Sequence, residues 1–275
     1  MMKAFVCQLD IVWERKAANF DKVRRLIAEG APAPGSLVAL PEMFATGFSM
    51  NVAGISETAE GETEQFLVRT AKEFGIYIAG GVVTKTNVPG LSLSGNQFLK
   101  GRNEAVVFGP EGQLRARYGK LHSFNPAGEG AHYISGNALV SFDWQGVKTA
   151  LFICYDLRFP EAFRLASLNG AEAFVVIANW PRPRNAHWMN LLQARAIENQ
   201  AFVFGVNRCG HTSKMDFDGR SLIVDPQGVI LGDAGTTEQM IGAEIQMEQL
   251  RAWRREFPVL ADARKELLNF GGLNG

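Results

Sequence analysis

Short apolar runs alternate with segments of helical period, and this alternation occurs twice along the chain. In the first half, Lys3 to Leu9 reads as a strand. It is followed by a helix over Lys16 to Glu29, with Ala17, Phe20, Val23 and Ile27 on one face and Gly30 as its stop. Leu37 to Leu40 is a short buried strand, Glu62 to Phe74 a second amphipathic helix closed by Gly75, and Ile76 to Gly81 the next strand. The second half repeats the theme with Val147–Ile153, Pro160–Asn169, Ala173–Ala178, Ala186–Asn199 and Ala201–Asn207. Hairpin signals stand beside these runs. Gly109-Pro110-Glu111-Gly112 lies between Glu104–Phe108 and Gln113–Tyr118, Gln145-Gly146 between Leu139–Trp144 and Val147–Ile153, and Pro226-Gln227-Gly228 between Ser221–Asp225 and Val229–Gly232. Ile241 to Gln246 is the last strand, and the polar stretch from Thr84 to Gly101 reads largely as loop. The pattern predicts an α/β fold of two similar halves. Each is a mixed sheet with helices on one face, and two such sheets packed face to face give a four-layer α-β-β-α sandwich.

Composition narrows the partners. The 275 residues include 28 basic and 28 acidic side chains, so no charge excess points to nucleic acid or to a membrane surface. Cys7, Cys154 and Cys209 are few, odd in number and far apart, which argues against a disulfide framework and for a reducing compartment. The N-terminus reads as a first strand rather than a signal peptide, and no apolar stretch approaches the roughly 20 residues of a membrane span. The expectation is a soluble cytoplasmic protein.

Cys154 ends the apolar run Ala150-Leu151-Phe152-Ile153, and the polar turn after it leads to a helix that can begin at Pro160. The thiol therefore sits at the mouth of a sheet, where α/β folds bind ligands. It is a nucleophile if a base and a cation stand nearby, and otherwise a small buried hydrophobe. Glu42 follows a short buried strand and lies beside Leu40, Met43 and Phe44; it is either a paired, functional carboxylate or a surface residue opening a loop. Lys120 ends a hairpin strand, where most lysines are solvated. Together the three form a set for acyl transfer: Glu takes the thiol proton, Cys attacks a carbonyl, and Lys stabilises the oxyanion.

Leu40-Pro41-Glu42-Met43-Phe44, Tyr118-Gly119-Lys120-Leu121-His122 and Cys154-Tyr155-Asp156-Leu157-Arg158-Phe159-Pro160-Glu161 resemble, in order and spacing, the three motifs of the nitrilase (carbon–nitrogen hydrolase) superfamily. The likeness continues through Ala178-Asn179-Trp180-Pro181, Gln193 to Asn199, Asp218-Gly219-Arg220-Ser221 and Asp225-Pro226-Gln227-Gly228. The resemblance implies a single carbon–nitrogen hydrolase domain over residues 1–275 with the α-β-β-α fold. It implies a Glu-Lys-Cys triad carried by Glu42, Lys120 and Cys154, with Glu129 as a second active-site glutamate and the backbone N–H of Tyr155 as an oxyanion donor. The loop around Glu129 departs from the commoner family patterns. The family usually forms dimers or larger symmetric oligomers. The amphipathic segment from about 247 to 275, with Leu250, Trp253, Phe257 and Leu260, is the expected contact.

Within the superfamily, the cysteine motif, Asn179-Trp180-Pro181-Arg182-Pro183-Arg184 and His187-Trp188 look most like the omega-amidase branch. Members of that branch hydrolyse the terminal amide of dicarboxylic acid monoamides such as 2-oxoglutaramate and 2-oxosuccinamate. A guanidinium suits the free carboxylate of such a substrate, and Arg158, Arg182 and Arg184 are the candidates. Arg158 has a structural alternative, an ion pair with Asp156 or Glu161. Trp180 either walls the pocket or packs in the core. An N-carbamoyl amidase, an aliphatic amidase and a non-catalytic relative that binds a partner are the competing readings. The four histidines form no paired metal motif, Gly119-Lys120 lacks the rest of a phosphate loop, Gly90-Leu91-Ser92-Leu93-Ser94 misses the serine nucleophile elbow, and no GxGxxG occurs. No cofactor and no metal are expected.

Overall fold

Val147–Ile153 and Ala173–Ala178 are apolar almost throughout because both of their faces are covered. Leu151, Ile153, Val175 and Ile177 point to one hydrophobic layer, while Phe152, Phe174 and Val176 point to another. This two-residue alternation defines the architecture. The protein is described by a computed structural model covering residues 2–91 and 97–267.

Two six-stranded sheets form the centre. The first runs in the order Gln239–Glu244, Lys3–Gln8, Leu37–Ala39, Tyr77–Leu91, Gln97–Phe108, Leu114–Gly119. The second runs Ile230–Asp233, Leu222–Val224, Phe202–Asn207, Ala173–Ala178, Val147–Ile153, Ser141–Trp144. In each sheet three consecutive strands are parallel and the flanking ones antiparallel. The helices Lys16–Gly30 and Glu62–Phe74 cover the outer face of the first sheet through Phe20, Val23, Ile27, Phe66 and Leu67. Pro160–Leu168 and Asn185–Asn199 cover the second through Phe163, Trp188 and Leu192. Between the sheets, Val6, Ala39 and Val107 meet Trp144, Leu151 and Phe204. The four-layer sandwich expected from the repeated pattern is therefore the observed fold.

Two expectations change. The stretch from Thr84 to Gly101 is not mainly loop: strands Tyr77–Leu91 and Gln97–Phe108 pair through Thr84 with Arg102 and again at Leu91 with Gln97. Its polar composition reflects a ladder that runs past the edge of the core, where side chains need not be apolar. The serines of the Gly90–Ser94 motif lie outside the described residues. The C-terminal helix Met247–Glu256 buries Met247 and Leu250 against the chain's own inter-sheet layer. Arg251 pairs with both oxygens of Glu172 at 2.8 and 2.9 Å. Leu250 is thus used within the chain, while Phe257 remains 58% exposed. Residues 268–275 of the expected contact segment lie outside the described residues.

Close backbone approach fixes two glycines beside the strand ends. A Cβ on Gly81 would lie 2.3 Å from the backbone nitrogen of Met43 and 2.7 Å from Cα of Glu42. A Cβ on Gly136 would lie 2.2 Å from the carbonyl oxygen of Gly119, the residue before Lys120. Backbone atoms cannot step aside as a side chain can. Gly81→Ala is expected to lower the unfolding free energy by about 1–3 kcal/mol, the usual range for overpacking. Urea titration with circular dichroism would read this as an earlier midpoint, and an unchanged midpoint would refute the contact.

Candidate active site

The ends of strands from both sheets converge on one cavity of about 200 Å³, whose wall includes Glu42, Lys120, Cys154, Asn179 and Trp180. Glu42 follows Leu37–Ala39, Lys120 follows Leu114–Gly119, Cys154 follows Val147–Ile153 and Asn179 follows Ala173–Ala178. The chain turns sharply at two of these points. Met43, after Glu42, has φ 44°, and Cys154 itself has φ 47°, both in the left-handed region that side-chain-bearing residues seldom adopt. Such strain, of order 1–3 kcal/mol, persists only where the surroundings enforce it.

At Cys154 the enforcing group is Asp156, which is fully buried. One of its oxygens accepts from the backbone N–H of Ile153 at 2.9 Å and from the hydroxyl of Tyr118 at 2.7 Å. The other accepts from the backbone N–H of His122 at 2.9 Å and lies 2.8 Å from Nδ1 of the same residue. The His122 ring stacks on Phe159 with centroids 3.7 Å apart. Both oxygens of Asp156 being engaged, Arg158 turns elsewhere: its guanidinium lies over the Trp180 ring at 4.7 Å and reaches Nδ1 of His187 at 3.3 Å.

The charged centre is a lysine between two glutamates. Nζ of Lys120 donates to Oε1 of Glu42 at 2.9 Å and to the two oxygens of Glu129 at 3.1 and 2.9 Å. All three side chains are buried, Lys120 being 2% exposed. Nδ2 of Asn103 bridges the carboxylates, donating to Glu42 Oε1 at 2.7 Å and to Glu129 Oε1 at 2.9 Å. Backbone N–H groups complete the set: Asn179 donates to Glu42 Oε2 at 2.9 Å and Phe124 to Glu129 Oε2 at 2.6 Å. Asn179 also donates its side-chain amide to the carbonyl of Glu42 at 2.5 Å, so this glutamate of the first sheet is tied to the second.

Burial disfavours the ammonium charge, but Glu42 and then Glu129 more than offset it, and the Lys120 pKa moves up. Burial also holds the Cys154 thiol well above its ordinary value, followed by the negative charge of Glu42; Lys120 and an Asn179 backbone N–H pull the other way. Burial and the adjacent Glu42 therefore favour the neutral thiol over the thiolate. Cys7 and Cys209 are buried; burial raises Cys7 further and pushes Cys209 up to about 12, so both are inert positions.

The remaining sequence candidates also reach this cavity. Tyr155 lines it and packs edge-on against Phe124 at 5.0 Å. Arg184 lies over Phe124 at 5.4 Å. Trp180 is both wall and core: 3% exposed, it packs near Trp188 at 5.7 Å and donates its indole N–H to the carbonyl of Arg184 at 2.7 Å. Arg182 instead faces outward and pairs with Asp216 and Asp218. Asn103, Asn179, Trp13, Phe48, Phe124, Arg208 and Phe217 were not singled out as site residues from the sequence. Asn179 and Arg208 each follow a buried strand, the same signal that marked Glu42 and Cys154. Asn103 has no such signal, because it lies inside the strand Gln97–Phe108 and not at its end. Among the described residues, no group of three or more His, Cys, Asp or Glu side chains is placed to hold a metal ion, and no helix is long and apolar enough to cross a membrane.

Comparison with known proteins finds relatives over nearly the whole chain. The chain is 35% identical to a 2-oxoglutaramate amidase of Bacillus subtilis over 264 residues, covering 94% of this chain and 96% of the relative. It is 37% identical to an omega-amidase of Escherichia coli K12, covering 95% and 96%. Among solved structures, a CN-hydrolase superfamily protein of Xanthomonas campestris, with an arsenic adduct in its active site, superposes with a TM-score of 0.85 at 29% identity, covering 95% of this chain and 96% of that one. A mutant of the amidase of Nesterenkonia sp. AN1, in which acrylamide has added to the active-site cysteine, superposes with a TM-score of 0.79 at 25% identity, covering 97% and 98%. The carbon–nitrogen hydrolase family model matches residues 3–255. With its two sheets, its strand-end site and this match over nearly its whole length, the chain belongs to the carbon–nitrogen hydrolase family.

Proposed function

We propose that the protein is an omega-amidase, hydrolysing the terminal amide of a dicarboxylic acid monoamide of the 2-oxoglutaramate type through a thioester on Cys154. The observation that carries this reading is the buried Glu42–Lys120–Glu129 cluster beside a strained cysteine. The names of the two amidases at 35% and 37% identity support the substrate class.

Each group has a task. Glu42 takes the proton of the Cys154 thiol as sulfur bonds to the amide carbon, so no thiolate need be stored in a buried, negatively charged site. The amide oxygen gains the negative charge, and the Lys120 ammonium and the backbone N–H of Tyr155 stabilise it. Collapse breaks the carbon–nitrogen bond. Glu42 returns the proton to the leaving nitrogen, which departs as ammonia. A water molecule, deprotonated by Glu42, then attacks the thioester carbon, and as the carbon–sulfur bond breaks to release the acid, Glu42 gives that proton to sulfur and restores the thiol. Glu129 holds Lys120 in place and keeps it charged. Trp180 forms the wall, and Arg158 and Arg184 bring positive charge to the side where the free carboxylate of the substrate enters. This cycle requires a reduced Cys154, which fits a cytoplasmic setting.

Cys154→Ala is expected to abolish ammonia release from 2-oxoglutaramate while leaving the far-ultraviolet circular dichroism unchanged. Cys154→Ser should be nearly as inactive, since a hydroxyl of ordinary pKa is a poor nucleophile. Substantial turnover by either variant would rule out the thioester.

The substrate class is tested by ammonia release across amides with and without a distal carboxylate. 2-Oxoglutaramate should be preferred to propanamide in kcat/KM, and Arg158→Met should reduce that preference. A parent enzyme that favours propanamide would leave only the broader amidase reading.

We further propose a homodimer. Phe257, together with Val229 and Leu231 at 53% and 41% exposure, supplies apolar surface for it. Analytical ultracentrifugation at micromolar concentration should give about twice the chain mass of 30.1 kDa; a mass equal to that of the chain counts against assembly.

A further inference from the structure

Arg208 follows the strand Phe202–Asn207 and is the only arginine of the cavity wall that is wholly buried among the described residues. A guanidinium carries five N–H donors. Three have acceptors here: Nε donates to the carbonyl of Cys209 at 3.1 Å, and Nη2 to the carbonyls of Ile11 at 3.2 Å and His211 at 3.4 Å. Nη1 is buried and has no acceptor among the described residues. The charge is as poorly met as the donors. The nearest carboxylate, Asp10, stands 3.6 Å from Nη2 on a side chain that is 46% exposed. Burial lowers the Arg208 pKa to about 10, against the pull of Asp10, so the group remains a cation at neutral pH.

A buried cation with two idle donors costs free energy unless something completes it. Nη1 has almost no open surface, so an incoming carboxylate reaches it by displacing a neighbour, and Gly47 and Trp13, which is 46% exposed at the cavity wall, lie on that side. A Cβ on Gly47 would sit 3.7 Å from Nη1 and 3.1 Å from the Trp13 ring. The Phe217 ring lies 4.4 Å from the guanidinium carbon, and both aromatic residues belong to the wall that also holds Cys154. By contrast Arg158 and Arg184 are only half-buried, and each already lies over an aromatic ring. Water and salt weaken their pull on an anion far more than that of Arg208.

We infer that Arg208 is a specificity-determining residue, its Nη1 taking the free carboxylate of the substrate, with Arg158 and Arg184 guiding that carboxylate from the rim. This rests on the omega-amidase reading and assigns the acidic half of the substrate to a residue outside the cysteine motif, at the end of another strand of the same sheet. Binding supplies the missing acceptor and the missing counter-charge together. A neutral amide supplies neither, so the idle donors discriminate against it.

The test compares kcat and KM for 2-oxoglutaramate and propanamide in the parent enzyme, Arg208→Met and Arg208→Lys. Loss of one partner of a desolvated pair corresponds to about thirty-fold or more. In the Met variant the ratio of kcat/KM values, 2-oxoglutaramate over propanamide, should fall by at least that factor, mainly through KM. The Lys variant keeps the charge without the fork and should retain more of the ratio than Met. It also serves as the measurement if the Met variant does not fold, a fall of the ratio supporting the inference there too. A ratio that stays within about three-fold of the parent's, or equal losses on both substrates, would overturn it and leave Arg208 as a structural brace. A parent enzyme with no preference for 2-oxoglutaramate would instead refute the omega-amidase reading itself; a parent with the preference and variants that keep it refute the role of Arg208 alone.

Discussion

A single ammonium shared between two carboxylates governs the centre of this molecule. Lys120 cannot be buried alone, and neither can Glu42 or Glu129. Each is tolerable only because the others, Asn103 and two backbone N–H groups complete its hydrogen bonds. Burial and the neighbouring Glu42 also bear on the sulfur beside this cluster. A thiolate would place a further negative charge in a dry site, which disfavours it against the neutral thiol. The same arrangement sets a carboxylate and an ammonium near Cys154, the two groups that the proposed thioester chemistry uses as base and oxyanion partner.

The sandwich exists to bring these groups together. None of the four strand-end residues is near the others in sequence, and they come from two sheets. Parallel strands direct their carboxyl ends to one side, so Glu42, Cys154 and Asn179 emerge together. Lys120 arrives from an antiparallel strand at the edge of the first sheet. The bonds from Asn179 to Glu42 and from Tyr118 to Asp156 then cross between the sheets.

Much of this was legible in the chain. Alternating apolar runs and helix-period segments give the layers, because a strand covered on both faces has few polar positions to spare. The rule that a polar residue closing a buried strand is a site candidate finds Glu42, Cys154 and, applied further, Asn179 and Arg208. It fails for Asn103, which sits inside a strand rather than at its end. Sequence also could not say what Asp156 does. Its neighbour Arg158 looked like a partner, whereas its real ones, Tyr118 and His122, are more than thirty positions away and become neighbours only when the sheets stack. Leu250 misled for a similar reason. An apolar stripe on a terminal helix shows that something is covered, and not whether the cover is another molecule or the chain's own core.

Asp156 has a mechanical meaning beyond its bonds. It grips the turn of Cys154 on one sheet with Ile153, and the lysine strand and its continuation on the other with Tyr118 and His122. A sliding of one sheet over the other by even an ångström would break this grip before it disturbed the hydrophobic layer between them, whose contacts are soft and non-directional. The sandwich is therefore pinned like two plates on a common rivet, and the rivet sits at the turn of Cys154.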